Sequence, residues 1–157
     1  MNKKILIYAS TILFLDQISK ILIDLYLSIN DSYTIIKNFF HITYINNYGA
    51  AFGILNNKLW LLIIFTLLTI FIIYRYINTF KINKRNEIAF SFLLGGVLGN
   101  LIDRLFLGYI RDFLDFNIFG IDFPVFNLGD TFIFLGAVLL MIAIYKGEDN
   151  ANSSKSK

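Results

Sequence analysis

The sequence predicts an all-α membrane protein of four spanning helices, with both termini in the cytoplasm and a small β-containing segment outside the membrane between the first and second helices. Three observations carry that prediction. First, 57% of the 157 residues are hydrophobic, the mean hydropathy is +0.65 and only 16% are charged. Ordinary soluble domains run at about a quarter charged, and so little polar surface cannot cover a water-exposed globule. Second, four apolar runs, about residues 5–23, 59–77, 88–107 and 127–145, have the length of a bilayer crossing. Third, the basic residues gather on alternate sides of those runs.

The first run follows Lys3 and Lys4 and continues through FLDQISK without a small-residue cleavage site, so it reads as a spanning helix and not as a signal peptide. Asp16 and Lys20 stand i,i+4 on it, where they can pair. A charge deep in a bilayer costs about 2.5–3.5 kcal/mol on the insertion scale, so both need a protein interior to face. Leu25–Lys58 is different. Asn30-Asp31-Ser32 marks a turn, and YTIIKNFFHITYI is rich in β-branched and aromatic residues, which predicts one or two strands outside the membrane. NNYGAAFGILNN follows, with Asn47 ahead of the small residues Gly49, Ala50, Ala51 and Gly53. Locally this reads first as a tight turn and second as a polar group presented beside a groove.

The second run has no charge in its core and ends in a basic loop holding Arg75, Lys81, Lys84 and Arg85. The third carries Gly95 and Gly99 as a GxxxG packing face. It also places Asn100, Asp103 and Arg104 at i, i+3 and i+4, a polar cluster late in a spanning helix. The fourth opens with Asn127 as its N-cap and Asp130 in its first turn, where the helix dipole favours a carboxylate. Residues 1–147 read as one domain, and 148–157 as a polar, disordered tail.

Several chemistries are excluded or disfavoured. There is no cysteine, hence no disulfide, thiolate nucleophile or cysteine metal site. A single histidine, His41, rules out HExxH zinc chemistry and disfavours a Ser-His site. A net charge of +3 spread over membrane flanks gives no support to nucleic-acid binding. Neither a metal nor a cofactor is expected.

Charge placement then fixes the expected topology. Lys3, Lys4, Arg75, Lys81, Lys84, Arg85, Lys146, Lys155 and Lys157 fall on one side. The other loops hold only Lys37, Lys58 and Arg111 against several aspartates. Gly108–Asp130, with Asp112, Asp115, Asp122 and Asp130, therefore lies on the outer side as a hairpin reversed at Gly120 and Pro124. Asp112 follows the exit of the third helix, and Asp130 follows the entrance of the fourth, on the same membrane face. Two close carboxylates share one proton. The charged one can deprotonate water and the protonated one can polarise a carbonyl. By local spacing alone the pair could equally be a helix cap and a solvated loop charge.

Five stretches in order, FLDQISK, NNYGAAFG, GGVLGNLIDR, RDFLDF and FNLGD, resemble the motifs of the lipoprotein signal peptidases, the type II signal peptidases of bacteria. The resemblance covers the chain from the first helix to the fourth. It implies an aspartic endopeptidase, multi-pass in the bacterial cytoplasmic (inner) membrane, with its site at the outer face and membrane lipid around it. It implies prolipoprotein substrates carrying diacylglycerol on a cysteine, cut on the amino side of that cysteine, and a monomeric enzyme. It assigns Asp112 and Asp130 as the catalytic pair. Asn47, Asn100, Arg104 and Asn127 become residues that bind substrate or support the site. Asp16, Lys20 and Asp103 become structural polar residues, Asp103 as a support for Arg104. Asp115 is the rival for the first catalytic position. The chain departs from the commonest motifs at Arg111, usually aliphatic and expected here to point to water or lipid headgroups, and at Val97 and Gly129, usually alanine.

Two other readings compete. A transporter or channel subunit would need polar groups at several depths, whereas these cluster towards one face. A serine–lysine peptidase using Ser19 and Lys20 would need adjacent helical residues to face each other, which they do not.

Overall fold

The computed structural model describes residues 2–50 and 54–149. Ala51 and Gly53 of the small-residue stretch, and the tail from residue 150 on, lie outside the described residues. Four helices form: α1 Lys3–Tyr26, α2 Leu59–Tyr76, α3 Lys84–Phe106 and α4 Leu128–Tyr145. All four are long and apolar enough to cross a membrane. The third begins four residues before its apolar run because Asn83 caps it, accepting from the Asn86 backbone N–H at 2.9 Å.

Helix α3 is central and packs against α1, α2 and α4. Its glycines make that possible. A Cβ on Gly95 would lie 2.6 Å from Ile12 Cβ of α1, and one on Gly96 would lie 2.4 Å from the Gly129 carbonyl oxygen of α4. The GxxxG face thus seats α1, while its middle glycine seats α4. The outer faces carry exposed apolar side chains such as Phe14, Phe71 and Phe134, as helices facing lipid require. At the basic end, Glu148 pairs with Arg85 and accepts from Asn83 and Asn86, tying the end of α4 to the start of α3.

The β structure is larger than the sequence suggests. Strands β1 Ser32–Ile36 and β2 Phe40–Asn47 occupy the segment expected to hold them. The segment between α3 and α4, read as a loop hairpin, adds β3 Ile110–Ile118 and β4 Ile121–Asp122, giving an antiparallel sheet in the order β1-β2-β3-β4. Asp112 lies opposite Ile45, and Ile110 opposite Asn47. The reversal uses Phe119 and Gly120, both with positive φ, between the paired Ile118 and Ile121, as a tight hairpin turn demands. Pro124 lies beyond it, on the return to α4. The sheet therefore holds Asp112 on a regular strand whose backbone is bonded to a neighbour.

Candidate active site

Asp112 and Asp130 line one cavity of about 1080 Å³. Asn47, Asn100, Arg104 and Thr66 share its wall, and Leu62, Phe65, Val97, Ile133 and Phe134 make much of the rest apolar. Asp112 is 1% exposed at the start of β3, and Asp130 sits in the first turn of α4. Strand and helix converge because the return segment pairs with β3: the Phe126 N–H donates to the Leu114 carbonyl, and the Leu114 N–H donates back to Phe126.

Three asparagine amides aim into the pair, and each is oriented by a second bond. Asn127 accepts the Asp130 backbone N–H on its Oδ1 at 3.0 Å, so its Nδ2 is the end that donates to Asp112 Oδ1, at 2.6 Å. Asn47 accepts the Gly49 N–H at 2.9 Å and donates to Asp112 Oδ2 at 2.8 Å. Asn100 accepts from Lys20 Nζ at 2.8 Å and donates to Asp130 Oδ1 at 2.8 Å. Among the described residues the fourth carboxylate oxygen, Asp130 Oδ2, receives only the long 3.3 Å bond of the capping box from the Asn127 N–H. Asp112 thus accepts a side-chain amide on each oxygen, while Asp130 accepts one only on Oδ1.

Burial pushes the Asp112 carboxyl up to about 7, and the neighbouring Asp130 charge adds to the rise; the Asn47 and Asn127 amides and the more distant Lys20 ammonium oppose it. Asp112 therefore changes charge near neutral pH, in the range a general base needs.

Beneath the pair lies a dry polar cluster. Lys20 and Asp16, both wholly buried, pair at 2.8 Å as their spacing predicts. The other oxygen of Asp16 accepts the Gly129 N–H at 2.7 Å. Lys20 is also 3.6 Å from Asp103. Here two expectations are corrected. Arg111 does not point to water or headgroups: it is buried and forks onto Asp103, with Nη2 at 2.7 Å and Nε at 3.2 Å. Asp103 in turn supports Arg111 and Lys20 and makes no bond with Arg104. Adjacent helical residues point about 100° apart, and Arg104 turns to the cavity, donating to Thr66 Oγ1 and the Gly49 carbonyl at 3.3 and 3.4 Å.

The rival acids face elsewhere. Asp115 accepts from Thr43 at 2.6 Å and Asp122 from Asn117 at 2.6 Å, and neither lines the cavity. The sequence reading missed Gln17, whose amide bridges Asp16, Asp103 and the Gly99 carbonyl, and Thr66, the anchor of Arg104. Neither carries a local signal for the site; the partners that matter there, the Gly99 carbonyl for Gln17 and Arg104 for Thr66, lie more than 35 positions away.

The chain is similar to known proteins over nearly its whole length. The family described as signal peptidase (SPase) II matches residues 8–146. A protein of Staphylococcus haemolyticus named lipoprotein signal peptidase is 43% identical over 151 residues, covering 96% of this chain and 94% of that protein. One of the same name from Staphylococcus aureus is 39% identical over 154 residues, covering 98% and 94%. A solved bacterial membrane enzyme superposes with a TM-score of 0.82 at 35% identity, covering 98% of this chain and 91% of that one. A second superposes at 0.79 and 36% identity, covering 89% and 91%.

Proposed function

The chain belongs to the signal peptidase II family, and from that membership and the carboxylate pair at its cavity we infer that it removes the signal peptides of prolipoproteins by aspartic chemistry. The observation that supports this most is the amide arrangement. Three locked asparagines supply donors to three of the four carboxylate oxygens and leave the fourth for a proton. That asymmetry assigns roles. Asp112, with both oxygens accepting, is the carboxylate that takes a proton from water. The pair shares one proton, and in the reacting form it stands on Asp130 Oδ2, from which it is donated to the carbonyl oxygen of the scissile bond.

Hydroxide then adds to that carbonyl carbon. The proton gained by Asp112 passes to the nitrogen of the leaving amine, the C–N bond breaks, and Asp130 recovers its proton from the collapsing intermediate. The bond cut is the one on the amino side of the lipidated cysteine. Arg104, held by Thr66 and the Gly49 carbonyl, is placed to bind substrate backbone at the cavity wall. The apolar walls from α2, α3 and α4 suit acyl chains entering sideways from the bilayer. Lys20, Asp16 and Asp103 hold this frame and do not touch substrate.

The basic residues cluster at one end of the helices and the sheet at the other, a pattern that by the positive-inside rule supports a cavity at the outer face of the cytoplasmic membrane with both termini inside. The test is product mass. Purified protein, given a diacylglyceryl-modified prolipoprotein, releases a signal peptide ending at the residue before the cysteine; release at any other bond, or from the unlipidated precursor at the same rate, contradicts the reading.

A further inference from the structure

The cluster beneath the pair holds a cation that the proposed reaction does not use. Arg111 is 7% exposed. Its backbone N–H donates to Asp103 Oδ2 at 3.0 Å, its Nε to the same oxygen at 3.2 Å, and its Nη2 to Asp103 Oδ1 at 2.7 Å and Gln17 Oε1 at 3.1 Å. An aliphatic residue here would keep the first bond and lose the other three. These bonds fasten β3 to α3 and α1 at the residue immediately before Asp112.

Charge is the second consideration. Around the pair stand three cations, Arg104 of α3 on the cavity side and Lys20 of α1 and Arg111 of β3 beneath, and two lone carboxylates, Asp16 of α1 and Asp103 of α3. Asp112 and Asp130, holding one proton between them, supply the third negative charge, and the group is neutral. Asp24 of α1 and Tyr44 of β2 also face Arg111; Asp24 is exposed, where water screens it, and accepts from the Tyr44 hydroxyl at 2.8 Å. The balance needs Arg111, since without it Lys20 alone must offset both Asp16 and Asp103, and the excess negative charge repels that of the pair.

We propose that Arg111 is a positioning residue for the carboxylate pair: it fixes the strand that presents Asp112 and neutralises Asp103, so that the pair keeps one proton and one charge. This rests on the aspartic reading of the site.

The test compares Arg111→Leu, Arg111→Lys, Asp103→Asn and the double variant Asp103→Asn/Arg111→Leu in proteoliposomes, measuring kcat and KM for a purified lipidated prolipoprotein across neutral pH. Arg111→Leu lowers kcat on the order of 10- to 100-fold, as misplacement of a reacting group does, with KM little changed. It also moves the pH–rate profile to higher pH, because Asp16 and Asp103, sharing only Lys20, carry an excess negative charge that disfavours further ionisation. Asp103→Asn moves the profile to lower pH, because a bare Arg111 favours it. The double variant returns the profile to the native position, and Arg111→Lys keeps that position while lowering kcat. Should Arg111→Leu fail to fold, Asp103→Asn, shifted to lower pH, and the double variant, back at the native position, still decide. Profiles that coincide in every variant that folds, with only thermal stability lowered, overturn the proposal. Asp112→Asn is the control: if it is inactive while the Arg111 variants turn over as the native enzyme does, this inference alone fails; if it is active, the aspartic reading fails and takes this inference with it.

Discussion

Replacing Asn127 with alanine separates the two jobs this side chain performs. It caps α4 through its Oδ1 and donates to Asp112 through its Nδ2. Loss of the cap costs about 1 kcal/mol of stability. Loss of the donor bears on chemistry. A hydrogen bond to a charged acceptor is worth about 1.5–3 kcal/mol, and 1.36 kcal/mol is one pKa unit, so Asp112 should rise by roughly 1–2 units from its starting point of about 7. At pH 7 its charged fraction then falls from about half to between a tenth and a hundredth, a roughly 5- to 50-fold loss of kcat that is recovered as pH rises. The assay is cleavage of a purified lipidated prolipoprotein at a series of pH values. Thermal unfolding in detergent monitors the cap. If Asn127→Ala lowers the unfolding temperature while its pH profile overlays the native one, the donor does not tune Asp112 and the role assignment falls.

Other outcomes follow from the same geometry. Gly99→Ala puts a Cβ 2.1 Å from Asp16 Oδ2 and should cost about 1–3 kcal/mol by overpacking, seen as a lower unfolding temperature. Lys20→Met leaves Asp16 and Asp103 without their shared cation and should destabilise by about 3–5 kcal/mol, read as loss of accumulated folded protein; Asp16→Asn in the same chain should restore part of it. Asn100→Leu removes the amide between Lys20 and Asp130 and should lower kcat about tenfold or more with KM little changed, as removal of an interaction specific to the reacting groups does.

The four helices were legible because continuous apolar runs have no other use at that length, and Asn127 announced the start of α4 through its position before Asp130. The pairing of Asp16 with Lys20 followed from helix geometry alone. Strand β3 was not legible. IRDFLDFNI holds two acids and an arginine and reads as a polar connection, yet its apolar partners and the register with β2 come from a segment more than sixty positions earlier. Arg111 was misread for a related reason. An arginine near a membrane face is ordinarily solvated, and its partner Asp103 is reached only because the chain turns at Gly108 and brings β3 back along α3. The expectation that Asp103 supports Arg104 could have been rejected from helix geometry, since adjacent side chains diverge. The choice of Asp112 and Asp130 over Asp115 and Asp122 came from family resemblance and not from spacing; strand alternation supplies the physical reason for Asp115, because residues three apart on a strand face opposite sides, while Asp122 lies on β4 beyond the turn, bonded to Asn117.

The most direct test of the account is cleavage of a purified diacylglyceryl-prolipoprotein by Asp112→Asn and by Asp130→Asn, each reconstituted in lipid and each shown to unfold near the native temperature. Neither variant should release signal peptide at any pH. Native-rate cleavage by either one would contradict it.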